Sequence, residues 1–454
     1  MTVAEPRPTR SPGLTYQELL DTDTHPVPDV LRWESPPDLG DRDVSIDRYV
    51  SREWHERERE LLWKRVWQFA CRAEQIPDPG DHVVYEIAGL SYVVIRQNDG
   101  SIKAFPNACL HRGRQLKDHD GHASELRCPF HGFCWRIDGA LADVPASWDF
   151  PQVDERRDTD FALPECRVGV WAGFVFINPD RSCAPFEEFI SGLDEHFSIW
   201  DLENRFIEAH VTKVIDANWK VAQEAFCEAY HVNATHPQIL YYLGDTNSQV
   251  DVWDNFSRVV TAGLTPSPLL WYEVSDDDML RSMLDVRVDQ ESPLSVPEGR
   301  TARDVAAASA RERWRPVVGD RVDQMSDAEM MDSIDYTVFP NFHPWGAFNR
   351  IVYRFRPHGD DHRRSIMEVM FLSPFTGERP APATRRDLGV DEPWTTAPEL
   401  GMLAKVFDQD VFNMSKVQLG LETTAKPGVT LSLYQEGKVR WLHDRLDRWM
   451  EGSA

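Results

Sequence analysis

Between residues 67 and 180 the apolar positions fall in short alternating runs, interrupted by turn-forming residues. Residues 83–87, 91–97 and 102–105 read as strands, separated by Gly89 and by Asn98-Asp99-Gly100, the second a hairpin signal. Asp138-Gly139 follows a run at 133–137, and 169–177 reads as one further strand ahead of Asn178-Pro179. This pattern predicts an all-β unit of short strands. Upstream, residues 51–67 mix charged and apolar positions at helical spacing and predict a short helix. Residues 1–45 are rich in Pro, Asp and Thr, lack periodicity, and read as an arm.

Beyond Pro185 the texture alternates. A strand is expected at 206–215 and a helix at 219–234, with later strands at 257–261, 336–339, 349–355 and 365–372. The charged stretch 285–325 reads as a surface excursion, and the proline-bearing 374–398 as a loop. A long helix is expected from 399 to 421, and an amphipathic one at 438–450. The chain therefore divides into an arm and helix (1–64), a β domain (65–180) and an α+β domain with an antiparallel sheet (181–454).

Composition narrows the function classes. The chain has 454 residues, 49 Lys+Arg against 75 Asp+Glu, and a formal charge of −26, which argues against a nucleic-acid partner. With 41 % hydrophobic and 11 % aromatic residues it reads as globular. The opening MTVAEPRPTR has no signal-type apolar stretch, and no run reaches the roughly 18–20 apolar residues of a membrane span. Seven cysteines are too few for a disulfide scaffold, so a reducing cytoplasm is expected.

Two clusters carry chemistry. Cys109-Leu110-His111 is followed, after 16 residues, by Cys128-Pro129-Phe130-His131. Two thiolates and two imidazoles suit one Zn²⁺, or a [2Fe–2S] cluster with two His on one iron. A zinc finger usually groups its cysteines apart from its histidines, whereas here each arm offers one of each, as a binuclear cluster needs. His119 and His122 read as surface residues, and Cys134, like Cys71, Cys166, Cys183 and Cys227, as an ordinary side chain. In the second cluster Glu228 and His231 are three apart on one helical face, with His236 five beyond. A regular helix would splay the two histidines; a π-bulge, or a helix end before Pro237, would let them converge. Two His and a carboxylate with open positions is the donor set of non-haem Fe(II) oxygenases.

Cys-x-His-x16-Cys-x-x-His, with Arg112-Gly113 and Gly132 after the pairs, resembles the Rieske iron–sulfur motif. With the acidic-x2-His-x4-His segment behind it, the chain resembles the α subunit of Rieske non-haem iron ring-hydroxylating oxygenases. The resemblance implies a Rieske domain followed by a helix-grip (START-like) catalytic domain. It implies a [2Fe–2S] cluster on Cys109, His111, Cys128 and His131, and Fe(II) on His231, His236 and a downstream carboxylate. Counting back from Gln418 selects Asp410, with Asp408 the runner-up. Glu228 takes the place of the family's usual Asp, which bridges a Rieske histidine of one subunit and an iron histidine of the next. That route implies a head-to-tail homotrimer, α3 being favoured over α3β3.

The implied reaction uses O₂ to hydroxylate a small apolar or aromatic substrate, ring dihydroxylation favoured over monooxygenation or demethylation of an amine or ether. Phe226, Tyr241, Tyr242 and the 342–348 stretch beginning at Phe342 are pocket candidates; Trp219 and Tyr230 read as core. No GxGxxG or plant-type ferredoxin run occurs, so NAD(P)H enters only through a separate reductase, with or without a ferredoxin. A non-catalytic Rieske carrier would hold the cluster without the second iron, and a zinc-stapled interaction protein neither.

Overall fold

The computed structural model describes residue 11, residues 13–287 and residues 289–452. The opening ten residues, where a signal stretch was sought, lie outside the described residues. The strands from Gln68–Arg72 to Phe174–Asn178 pair only with one another among the described residues, in sheets of three, four and three strands. The 169–177 run is not one strand. Arg167–Trp171 and Phe174–Asn178 form a hairpin, because Ala172 and Gly173 both take positive φ and reverse the chain.

An eight-stranded sheet carries the second half. Its order is Gln249–Val252, Phe256–Thr261, Ser333–Val338, Phe342–Pro344, Ile351–His358, Asp361–Pro374, Arg205–Ile215 and Arg386–Leu388. All neighbours are antiparallel except the last pair, so part of the expected 374–398 loop is an edge strand. Both faces are buried, which explains why these strands are apolar on successive positions. Tyr353, Phe355, Met367, Val369 and Phe371 meet Ala404, Phe407 and Met414 of the Leu403–Leu421 helix. Val352, Met370 and Leu372 face the other way, toward Phe69, Phe174 and Phe176 of the β domain. A bulge at Glu208 makes the switch on the paired strand: Ile207 opposes Leu372, but Ala209 opposes Phe371.

Between the two halves stands a polar strut. Arg354 donates to the carbonyls of Phe69 and Ala70 at 2.7 Å each, and to Glu368 at 2.8 Å; His210 meets the other Glu368 oxygen at 2.7 Å. Burial acts to raise the Glu368 carboxyl, but Arg354 and His210 hold it well below the ordinary range.

Charged segments depart furthest from expectation. The described part of the arm is docked: Tyr16 Oη donates to Asp332 at 2.9 Å, and Arg258 donates to the Val30 and Trp33 carbonyls. The stretch 285–325 contains a 17-residue helix, Ala302–Val318, whose Arg303 and Arg311 turn inward to Asp332, Asp23 and Asp327. The terminal helix Gly437–Glu451 likewise spends its charges inside the chain. Lys438 pairs with Asp335, His443 with Glu224 and Arg445 with Asp254, so these side chains are not free for a neighbouring subunit. Among the described residues, no helix is long and apolar enough to cross a membrane.

Candidate active site

The two Cys-His arms form the same turn twice. The Cys109 N–H donates to Arg114 O at 2.8 Å and Gly113 N–H returns to Cys109 O at 2.9 Å; Cys128, Phe133 and Gly132 repeat this at 2.8 and 3.0 Å. The fifth residue of each turn has φ near +80°, a conformation that suits glycine, and a Cβ on Gly132 would sit 2.9 Å from Pro145. Both sulfurs are buried, and the imidazoles stand at the rim with ring centres 4.8 Å apart. Phe133 stacks on His111 at 4.6 Å and fixes its plane. His111 Nδ1 is buried without a hydrogen-bond partner among the described residues, whereas His131 Nε2 lies 2.5 Å from Arg112. Burial raises the Cys109 thiol; the His111 and Arg112 amides oppose this, and the Cys128 sulfur adds to it. Adjacent sulfurs at depth and adjacent imidazoles at the rim fit a binuclear cluster with sulfur on one metal and nitrogen on the other. His119 and His122 are exposed, and Cys134 is buried beside this site.

The second cluster is assembled where a helix stops. Asn218 caps Trp219–Glu224, and its own N–H is held by Gln418 Oε1 at 2.9 Å, tying this turn to the Leu403–Leu421 helix. The expected 219–234 helix is thus two short pieces, Trp219–Glu224 and Val232–Thr235, with turns between. His236 leaves helical geometry at φ −127°, ψ 55°, as the residue before Pro237 is biased to do. The result is convergence at a helix end.

Asp410, buried in mid-helix, completes the group. Its Oδ1 lies 2.7 Å from His236 Nε2 and 3.6 Å from His231 Nε2, and three ligating atoms of these residues fall within 4.8 Å of one another. The outer nitrogens are also held: His231 Nδ1 meets Glu228 Oε1 at 2.9 Å, and His236 Nδ1 meets Gln409 Oε1 at 2.9 Å. Such partners fix ring orientation and leave both Nε2 atoms for a metal. Burial works to lower the His231 imidazole, but Glu228 and Asp410 outweigh it and the ring is raised. Asp408 is engaged elsewhere, accepting the Trp394 N–H at 2.7 Å and the Thr395 hydroxyl at 3.0 Å.

Two spaces meet at this group. Outward lies a cleft of about 620 Å³, walled by Val221, Met414, Val417 and Leu431 with Glu224 and Glu436. Inward lies a cavity of about 170 Å³, walled by Phe226, Trp345, Tyr353 and Phe407. Glu228, His231 and Asp410 line both. Of the pocket candidates, Phe226 is on the inner wall. Phe342 is not: it is packed 4.7 Å from Phe69 and 4.8 Å from Phe174, in the core between the two halves. Tyr241 also lies off that wall, its hydroxyl bonded to Tyr272 at 3.0 Å, and Tyr242 packs with Leu264 and Met279. Trp219 is core, but Tyr230, expected there, is 46 % exposed. Sequence reasoning missed Gln409, Tyr353 and Phe407; adjacency to Asp410 was the one signal for Gln409.

A model of the ring hydroxylating alpha subunit (catalytic domain) matches residues 200–452, and one of the Rieske [2Fe–2S] domain matches 66–154. The carnitine monooxygenase oxygenase subunit of Escherichia coli (strain K12) is 30 % identical over 195 residues, 42 % of this chain and 50 % of that protein. The anthranilate 1,2-dioxygenase large subunit of Acinetobacter baylyi is 29 % identical over 207 residues, 44 % of each. The matched stretch thus spans about half the length of these curated relatives. Two solved structures share the fold: a quaternary ammonium Rieske monooxygenase (TM-score 0.62, 18 % identity, 90 % of this chain and 95 % of that one) and a Rhodococcus naphthalene 1,2-dioxygenase (0.59, 21 %, 91 % and 95 %). With more than half its length inside the catalytic-domain match and the Rieske match ahead of it, the chain belongs to the α subunits of the Rieske ring-hydroxylating oxygenases.

Proposed function

We propose that this chain is the terminal oxygenase component of a multi-protein system that hydroxylates a small apolar substrate, ring dihydroxylation of an arene favoured. Residues 65–180 would act as the Rieske unit and 181–454 as the catalytic unit, with 1–64 as an N-terminal arm and helix. Cys109, His111, Cys128 and His131 would hold the [2Fe–2S] cluster; His231, His236 and Asp410 would hold Fe(II). When bound, these groups supply single-electron transfer and activation of O₂. The convergence of His231, His236 and Asp410 between an outer cleft and an aromatic cavity carries the reading.

The chain's own residues do the rest. Glu228 and Gln409 fix the tautomer and aim of the two imidazoles. Phe226, Tyr353 and Phe407 exclude water and hold the substrate by apolar contact. Glu228 forms a wall of both spaces, and this supports its role as the bridge to a neighbouring copy. That copy would seat its cluster rim, with exposed Phe130 and Arg112, in the acidic and apolar outer cleft, bringing His131 toward Glu228. Head-to-tail seating closes into a homotrimer. A separate reductase, with or without a ferredoxin, would draw electrons from NAD(P)H. Seven free cysteines suit a reducing cytoplasm.

Substrate-dependent O₂ uptake by iron-loaded protein with a surrogate reductase tests this. Products from ¹⁸O₂ should carry two labelled oxygens for dioxygenation, one for monooxygenation or demethylation. Uptake indifferent to every apolar substrate, with unlabelled products, overturns the reading.

A further inference from the structure

Among the described residues, the buried arginines are balanced with one exception. Arg48, Arg72, Arg258, Arg303, Arg311, Arg354 and Arg445 each pair with a carboxylate. Arg440 spends Nε, Nη1 and Nη2 on the carbonyls of Ser432, Arg42 and Leu431. Arg205, 4 % exposed, does neither. Its Nη2 donates to the Trp200 carbonyl at 2.9 Å and to the Ala347 carbonyl at 2.7 Å, while Nε and Nη1 have no hydrogen bond among the described residues. Those two nitrogens are not sealed in the interior, unlike the unpartnered Nε of Arg48 or Arg445. Burial pushes the guanidinium down to about 10, with Asp201 opposing and Arg72 adding, so it stays charged at neutral pH.

Arg205 faces a pocket. With Trp200 and Ala347 it walls a space of about 150 Å³, whose apolar side is Val318, Met325, Phe348 and Phe375. Exposed Arg321 brings a second guanidinium, steadied by its Nη2 on the Ile199 carbonyl at 3.1 Å. Asp201 lines the pocket too, but its Oδ1 takes the Asn204 amide at 2.8 Å, and among the described residues it forms no ion pair with Arg205. A buried cation without a counter-ion is costly, and an arriving anion relieves that cost. Two guanidiniums call for an anion, and the apolar side calls for carbon rather than a bare phosphate. The volume matches the roughly 150 Å³ of a cavity that takes benzene.

We propose that this pocket binds a small monocarboxylate with a compact apolar body. The carboxylate accepts from Arg205 and Arg321, and the body lies against Val318, Met325 and Phe348. The site is independent of the oxygenase reading: no residue lines both it and the cleft or cavity at His231 and Asp410.

Calorimetry on the iron-loaded full chain with hexanoate, hexanamide and acetate tests this. Native protein should bind hexanoate at least about tenfold more tightly than hexanamide, which lacks the charge. Acetate, which lacks the body, should also bind at least about tenfold more weakly. Arg205→Gln keeps a donor without the charge and should lose the preference for hexanoate over hexanamide. Val318→Trp fills the pocket with Arg205 in place and should weaken hexanoate by about tenfold or more. His236→Ala, which removes a candidate iron ligand, should bind hexanoate as the native chain does. The proposal is overturned by equal affinity for hexanoate and hexanamide, by no hexanoate binding, or by native hexanoate affinity in either folded pocket variant. Loss of binding in His236→Ala would put the carboxylate on the iron and overturn it too. Should Arg205→Gln not fold, the hexanamide comparison and Val318→Trp decide. Iron content of the same preparations reports separately on the oxygenase reading.

Discussion

Glu228 grips His231 at two points: Oε1 meets the ring Nδ1 at 2.9 Å and Oε2 accepts the backbone N–H at 2.9 Å. The carboxylate is thus fixed by its own turn before any neighbour arrives. Glu228→Gln keeps the shape but loses the charge. Both metal sites should load as in the native chain, while turnover falls by roughly 10–100-fold. Native turnover in this variant would remove Glu228 from the electron route.

Asp410 and Asp408 lie two apart on one helix and do different work. Asp410→Asn should lose the mononuclear iron while cluster absorbance persists. Asp408→Asn should retain that iron and lose about 1 kcal/mol of stability, because it unties the Trp394–Thr396 turn. Metal analysis and thermal melts separate the two, and iron loss from Asp408→Asn alone would reverse the assignment.

Two phenylalanines separate in the same way. Phe342→Ala opens a hole between the sheets and should cost about 3–5 kcal/mol. Phe226→Leu nearly conserves volume on the cavity wall and should change substrate preference with a loss under about 1.5 kcal/mol. A preference shift from a stable Phe342 variant would contradict this placement.

Asp23 gives the arm a pH dependence. Burial raises its carboxyl, Arg303 opposes, and the folded value is pushed up to about 6, above its ordinary 3.8. The folded state therefore binds the proton more tightly, and its stabilisation is complete below about pH 3.8 and lost as pH rises through 6. Relative to native protein, Asp23→Asn should gain stability between pH 4 and 6. A melting-temperature difference flat across that window would refute the shift.

Local signals carried most of what was legible. The Cys-His arms and the His231–His236 segment are short, and their turns are set by neighbours such as Gly113, Gly132 and Pro237. Charge misled where its partner is distant. Arg303 lies in a stretch read as a surface excursion, yet it and Lys438 are each neutralised by an acid brought in by tertiary folding, Asp332 and Asp335. Phe342 looked like pocket because periodicity cannot say which of two buried faces a strand residue serves. The anchoring of Asn218, where that helix begins, was invisible for a related reason: it depends on Gln418, 200 residues away.

The central claim is that one polypeptide holds two chemically different iron sites. Iron and acid-labile sulfide should be counted in anaerobically purified native, His236→Ala and Cys128→Ala proteins. The native chain should hold about three irons and two sulfides, with the His236 variant losing one iron and no sulfide. The Cys128 variant should keep about one iron and lose the sulfide. Native protein with two irons, or a His236 variant that keeps all three, would contradict it.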